Sequence, residues 1–334
     1  MNESASSRNW IAGRTPPIPG QDSVAEVRYL CIGGVNQWLM IRGCDRANPL
    51  LIMLHGGPGI SETVFWRYYN SQELEKAFTV VYWDQRGSGK SYDPTLNKDT
   101  MTLEQFLSDL NEVVDYVCDR ANKTKVTLFG HSWGSILGPL FAARYPQKVA
   151  AYIGSGQIGD WAASERATYE YTLSEAQRRS WKRIELDLKN VVGRPPHNSE
   201  SLIKQRNHLA KLDGDTSFGH VLMICRIFLT APEHSIFDLL QFYKILAYNI
   251  ELMWTEVTSV NLLESVPELQ VPTFFLLGRN DHCVLPEISM EYIQVLKAPS
   301  KEVVWFDHSR HQPFMDEPEK FNSTMVNFIR PKIE

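Results

Sequence analysis

The sequence predicts an α/β protein: a mostly parallel, doubly wound sheet interrupted once by a helical cap. Three observations lead there. Short continuous apolar runs such as PLLIMLHGG and KVTLFGHS suit strands buried on both faces. Helical patterns alternate with such runs before Asp160 and again after Asn261. Between those two points the periodicity is helical, richer in charged and aromatic residues, and no convincing strand occurs.

In chain order, residues 1–24 are polar, contain TPPIPG and predict an extended or poorly ordered lead-in. EVRYLCI and QWLMIRG, separated by Gly33 and Gly34, predict a hairpin. PLLIMLHGG follows as a strand, SETVFWRYYNSQELEKAF as a helix and TVVYWD as a strand. In TLEQFLSDLNEVVDYVCDR, Leu103, Phe106, Leu107, Leu110, Val114 and Val117 share one helical face, and Thr102 with Gln105 predicts a capping box. KVTLFGHS, SILGPLFAARYP and VAAYIGSGQI continue as strand, helix and strand; VPTFFLLGRND, PEISMEYIQVLK, EVVWFDHS and EPEKFNSTMVNFI resume the alternation beyond the cap. The expected division is an N-terminal extension over 1–24, core over 25–159, helical cap over 160–261 and core again over 262–334.

Several function classes fall away on composition. At 334 residues with net charge −5 and no basic run, neither nucleic acid nor an anionic membrane is an expected partner. No apolar stretch is long enough to span a bilayer and the N-terminus has no apolar signal region, so a cytoplasmic location is expected. Five scattered cysteines without C-x-x-C spacing fit reduced thiols. His308 and His311 lack a third ligand close in sequence, so no metal site is expected, and no cofactor motif stands out. The GSGKS at Gly87–Ser91 resembles the tail of a phosphate-binding loop. That template needs glycine where Asp84 stands, and a helix where YDPTLNKDT reads as loop, so nucleotide binding is excluded.

The chemistry is carried by GHSWG, Gly130–Gly134, at a predicted strand-to-helix junction. In G-x-S-x-G the glycines are expected to let the backbone turn sharply, leaving the Ser132 hydroxyl exposed above the sheet. A serine alcohol needs a base held in the right tautomer by a carboxylate. Asp281 follows the strand TFFLLGRN and His311 follows EVVWFDHSR, in the chain order serine, acid, histidine. His308 and Asp160 are the rivals for those two roles; His311 is preferred for the HQPFMDEPEKF that follows it. His282 and Cys283 are expected at the rim, where a thiol would confer sensitivity to alkylation. Oxyanion donors, typically worth roughly 3 kcal/mol each, are expected from the backbone N–H of Trp133 and of Gly57 in HGGPG.

With HGGPG, WDQRGSGKS, GHSWGS, GRND and the His311 loop in place, the sequence resembles the α/β-hydrolase superfamily, and within it the prolyl iminopeptidase family of serine peptidases. The resemblance spans about residues 26–158 and 262–334 and implies an α/β-hydrolase fold, a Ser132–His311–Asp281 triad, and an oxyanion hole from Gly57 and Trp133. It also implies that DQRG is a structural loop in which Arg86 donates internal hydrogen bonds. Members that release N-terminal proline hold its amine with cap glutamates, and the candidates here are Glu233, Glu251 and Glu256; exposed charge on amphipathic helices is the alternative reading of each. Phe218, Phe228, Phe237, Phe242, Tyr243, Tyr248 and Trp254 are expected either to roof an apolar pocket or to form the cap core. The expected substrate is a small molecule or short peptide, first an N-terminal prolyl or similar aminoacyl group, alternatively an apolar ester, lactone or amide. A non-catalytic binding protein of the same fold is the reading from a different class; oligomeric state is not legible.

Overall fold

The computed structural model describes residues 15–193 and 198–333. One eight-stranded sheet runs in the order β1-β2-β4-β3-β5-β6-β7-β8. Its strands are β1 Val24–Ile32, β2 Val35–Gly43, β3 Leu50–Leu54, β4 Thr79–Asp84, β5 Val126–His131, β6 Val149–Ser155, β7 Thr273–Gly278 and β8 Lys301–Phe306. β1 and β2 form the expected antiparallel hairpin across Gly33–Gly34, β2 pairs antiparallel with β4, and the pairings from β4 onward are parallel. The period of two explains why the central strands read as unbroken apolar runs. Leu50, Ile52 and Leu54 of β3 enter the core on one face of the sheet, Leu51 and Met53 the core on the other.

Helices cover both faces. One segment departs from expectation: the single helix predicted from 61 to 78 is two, α1 Thr63–Tyr69 and α2 Ser71–Ala77. The chain leaves helical geometry at Asn70, with φ −125°, and the Asn70 amide donates to the Phe314 carbonyl and to Asn322, each at 3.1 Å. Partners more than 240 positions away therefore decide the break. α3, Leu103–Ala121, buries Phe106, Leu107, Leu110, Val114 and Val117, while Leu103 is half-buried. Only half of its capping box forms. Thr102 accepts from the Gln105 N–H at 3.2 Å, but the Gln105 side chain donates to Asp109 at 2.8 Å. α4 spans Gly134–Arg144.

Between β6 and β7 the described chain is helical: α5 Trp161–Arg178, α6 Lys182–Asp187, α7 Ser199–Asp213, α8 Phe218–Thr230, α9 Ile236–Leu252, α10 Trp254–Thr258 and α11 Leu262–Ser265. α12 Pro286–Val295 separates β7 from β8, and α13 Pro313–Asp316 and α14 Pro318–Ser323 follow. A buried chain of alternating charge, Arg42–Glu75 at 3.0 Å, Arg67–Glu75 at 2.7 Å and Arg67–Glu233 at 3.0 Å, ties the α8–α9 connection to the core. Residues 1–14 of the predicted lead-in lie outside the described residues. The part that is described is anchored: the Thr15 hydroxyl donates to Glu233 at 2.7 Å and Arg42 donates to the Pro16 carbonyl at 2.6 Å.

Candidate active site

Strand order reverses at β3, which lies between β4 and β5, and a crevice opens where the carboxyl ends of the strands diverge. HGGPG leaves β3 and GHSWG leaves β5 at this edge. Ser132 takes φ +51°, its N–H donates to the Ser155 carbonyl at 2.9 Å, and its own carbonyl accepts from Ser135 N–H at 2.8 Å. The sharp turn is thus carried by the serine itself. The motif glycines serve a purpose different from the one expected, namely clearance: a methyl at Gly130 would overlap the Gly134 carbonyl, and a methyl at Gly134 the Leu54 carbonyl at the end of β3. No side chain fits where elbow and strand approach so closely.

Ser132, Gly57 and His311 line one cavity of about 710 Å³. Behind His311 stands buried Asp281, whose Oδ2 lies 2.8 Å from His311 Nδ1; its Oδ1 accepts from the Cys283 and Val284 N–H groups at 2.9 and 2.8 Å. Both carboxylate oxygens are thereby oriented. Burial acts to lower the His311 pKa, but the Asp281 carboxylate and the adjacent Cys283 sulfur outweigh it and hold the imidazole well above its ordinary value. The Cys283 thiol is within hydrogen-bonding reach of His311; burial raises its pKa, and Arg206 and His311 together pull it below the usual thiol range. The two rivals have other work. His308 donates its N–H to Glu317 at 2.9 Å, away from the cavity lining, and Asp160 caps α5 by accepting from Ala163 N–H at 3.0 Å.

The loop after β3 faces Ser132. Gly57 has φ +116°, and a Cβ there would crowd the Gly59 and Ile60 nitrogens. Among the described residues neither the Gly57 nor the Trp133 N–H finds a backbone acceptor. The Trp133 indole donates to Gln85 at 2.9 Å, and the Gln85 N–H in turn donates to His55 Nε2 at 3.1 Å, so the DQRG turn holds the elbow and the HGGPG strand end together. Arg86 in that turn is fully buried and pairs through two hydrogen bonds of 2.8 Å with Asp109. Its guanidinium also donates to the Gly33 carbonyl, the internal role expected of it.

Two buried groups were not legible in the sequence. His131, the variable position of G-x-S-x-G, bridges Glu62 at 2.7 Å and the His311 carbonyl at 2.8 Å, while Glu62 also accepts from Gly56 N–H at 3.1 Å. One histidine thus joins three loops of the site. The second is Glu165 on α5, 2 % exposed, which pairs through Oε1 with Arg206 of α7 and leaves Oε2 without a partner. Both residues line the cavity. Burial pushes the Glu165 carboxyl above its usual range, against the opposing pull of Arg206. Glu165 sits one helical turn from Thr168, whose hydroxyl donates to the Cys283 carbonyl at 3.0 Å, which links α5 to the Asp281 loop.

The three expected glutamates lie elsewhere. Glu233 pairs with Arg67 through Oε1 and keeps a buried Oε2 without a partner away from the cavity, Glu256 caps α3 by accepting from Leu103 N–H at 2.8 Å, and Glu251 is exposed; none lines the cavity. Of the cap aromatics, Phe228, Phe242 and Tyr243 do line it. Tyr248 packs on Tyr92, Trp254 packs on the core, and Phe218 and Phe237 are exposed. His282 stacks on Tyr171 with 4.1 Å between centroids and lies 3.1 Å from Asp213, at the rim as expected. Among the described residues no helix is long and apolar enough to cross a membrane, and no three His, Cys, Asp or Glu side chains converge to hold a metal ion.

The doubly wound sheet with a serine elbow at its switch point defines a hydrolase, and the chain belongs to the α/β hydrolase fold family, matched over residues 49–318. It is 34 % identical over 318 residues to the probable aminopeptidase YbaC of Bacillus subtilis, covering 94 % of this chain and 99 % of that one. The proline iminopeptidase of Heyndrickxia coagulans is 26 % identical over 291 residues, covering 84 % and 90 %. Among solved structures, the proline iminopeptidase-related protein from Thermus thermophilus superposes with a TM-score of 0.64 at 17 % identity, covering 91 % of this chain and 96 % of that one.

Proposed function

We propose that the protein is a serine hydrolase that releases a small aminoacyl group bearing a free amine, of the N-terminal prolyl type, through an acyl-enzyme. Ser132 Oγ attacks the scissile carbonyl as His311 takes its proton, Asp281 steadies the imidazolium, and the Gly57 and Trp133 N–H groups receive the oxyanion. His311 then returns the proton to the leaving amine. Water, deprotonated by the same histidine, cleaves the ester and regenerates the serine. Helices α5–α10 act in this reading as the cap that closes the substrate chamber.

The observation that carries the substrate class is the unpartnered Oε2 of buried Glu165 in the cavity wall. A buried acceptor with no donor is stabilised by an ammonium that supplies one. The lining as a whole agrees: Glu62, Glu165, Asp213, Asp215 and Asp316 outnumber Arg206 and Arg310, so the chamber favours a cation. The relatives named for aminopeptidase and proline iminopeptidase activity support the same choice. One feature favours a second reading, an esterase or amidase for an apolar molecule: at about 710 Å³ the chamber is larger than a prolyl group requires, and Ile158, Trp161, Phe228 and Leu246 give it apolar walls.

A panel of aminoacyl arylamides and short acyl esters, with Ser132→Ala as blank, separates the two. Turnover of prolyl arylamide that falls by several orders of magnitude in Ser132→Ala is the expected result. Inert arylamides alongside active esters would transfer the assignment to the second reading. Unchanged turnover in the serine variant, or failure of Ser132 to react with a fluorophosphonate, would remove the mechanism.

A further inference from the structure

The outer side of the cap carries an apolar face of which only Tyr243 reaches the cavity lining. On α8, Phe218, Leu222 and Leu229 recur at helical spacing and are 83, 57 and 70 % exposed. On α9, Phe237, Leu240 and Tyr243 are 67, 71 and 71 % exposed. The opposite faces of the same two helices line the cavity, through Ile224 and Phe228 of α8 and Leu239 and Leu246 of α9. α8 and α9 pack against each other, and five of these six exposed residues lie off the cavity lining.

We propose that this α8–α9 face is the interface of a two-fold dimer with a second copy of this chain. Its area is the first reason. Taking about 200 Å² for each aromatic side chain and somewhat less for each leucine, the six residues expose on the order of 800 Å². A stable standard-size complex takes about 800 Å² from each partner, and the largest apolar patch of an ordinary monomer is roughly 300–600 Å². Charge is the second reason. Arg226 and Lys244 are balanced by Asp238 and Glu251 on these two helices, and Asp238 is already paired with Lys90 at 3.2 Å. A net-neutral, charge-poor face lacks the basic excess that draws a helix to an anionic lipid surface, and has the composition of a homodimer centre. A two-fold pairing needs only this one patch on each copy and closes without leaving a sticky surface. Tyr243 also lines the cavity, which places the edge of the paired surface at the mouth of the site.

Size-exclusion chromatography with light scattering tests this on the full chain. The wild type is expected at twice the 38.3 kDa chain mass, and a Leu222→Glu, Leu240→Glu double variant at the single-chain mass with an unchanged circular dichroism spectrum. A wild type that runs at the single-chain mass up to its solubility limit overturns the proposal, including the case in which that monomer binds neutral lipid vesicles through the same face. A double variant that folds yet remains dimeric overturns it as well, by placing the interface elsewhere. Should the variant not fold, amide hydrogen exchange of the wild type decides. Slower exchange in 218–252 on concentration is expected, and exchange independent of concentration there overturns the proposal.

Discussion

Asp109→Asn is the sharpest test of how the DQRG turn supports the site. Asp109 is fully buried and its two oxygens accept from four donors: Arg86 Nε at 2.8 Å and Gln37 at 2.6 Å on Oδ2, and Arg86 Nη2 and Gln105, each at 2.8 Å, on Oδ1. Asparagine keeps one acceptor and turns a donor toward the donors on the other side. It also removes the carboxylate paired with the Arg86 guanidinium, which has no solvent to turn to. Breaking a buried pair from one side typically costs about 3–5 kcal/mol. Orphaning one or two buried donors at about 1–3 kcal/mol each reaches the same range. At about 2–4 °C per kcal/mol the expected loss of Tm is roughly 6–20 °C, with a matching fall in the denaturant midpoint at constant m-value. The double replacement Arg86→Met, Asp109→Leu is expected to recover part of that loss, because no charge remains buried without its counterpart although the Gln105 amide loses its acceptor. Since Arg86 follows Gln85, whose side chain holds the Trp133 indole, folded Asp109→Asn should lose kcat more than KM. A loss of stability below about 1 kcal/mol, or a double variant less stable than the single one, would refute the reasoning.

Three further outcomes are expected. His311 must be neutral to accept the serine proton, so a raised pKa places the acid limb of kcat/KM above the ordinary imidazole value; Cys283→Ala removes one of the groups that raise it and should move the limb to lower pH, whereas a limb that stays or moves up contradicts the assignment. The same variant should resist thiol alkylation that inactivates the wild type. Glu165→Gln should raise KM for an amine-bearing substrate by roughly 10- to 100-fold, as loss of a charged hydrogen bond worth about 1.5–3 kcal/mol implies, and leave KM for a neutral acyl ester unchanged; equal effects on both substrates would detach Glu165 from amine recognition.

Much of the core was legible because local chemistry decides it. A strand buried on both faces has to be continuously apolar, as TVVYWD and TFFLLG are, and GHSWG between such a strand and a helix already implies where Ser132 stands. Chain order and strand ends sufficed to place Asp281 and His311 beside each other. Elements whose ends depend on distant partners were not legible: the break at Asn70 answers to Phe314 and Asn322, and the second half of the Thr102 capping box is diverted to Asp109.

The cap shows the limit most plainly. Glu251 and Glu256 carry the same charge and sit in similar helical sequence as Glu165, and Glu233 carries that charge just beyond a helix, so charge alone does not separate them. Tertiary packing gave Glu233 to Arg67, Glu256 to the start of α3 and Glu251 to solvent, and turned Glu165 into the cavity wall with Arg206 from a helix 41 positions on. By itself the sequence determined the strands, the elbow at Ser132 and the strand ends that carry Asp281 and His311, because each depends on a few neighbouring residues and their order. Which carboxylates line the cavity was decided only by the fold, because that depends on how many equivalent charges are distributed between core, solvent and cavity wall once the helices have packed.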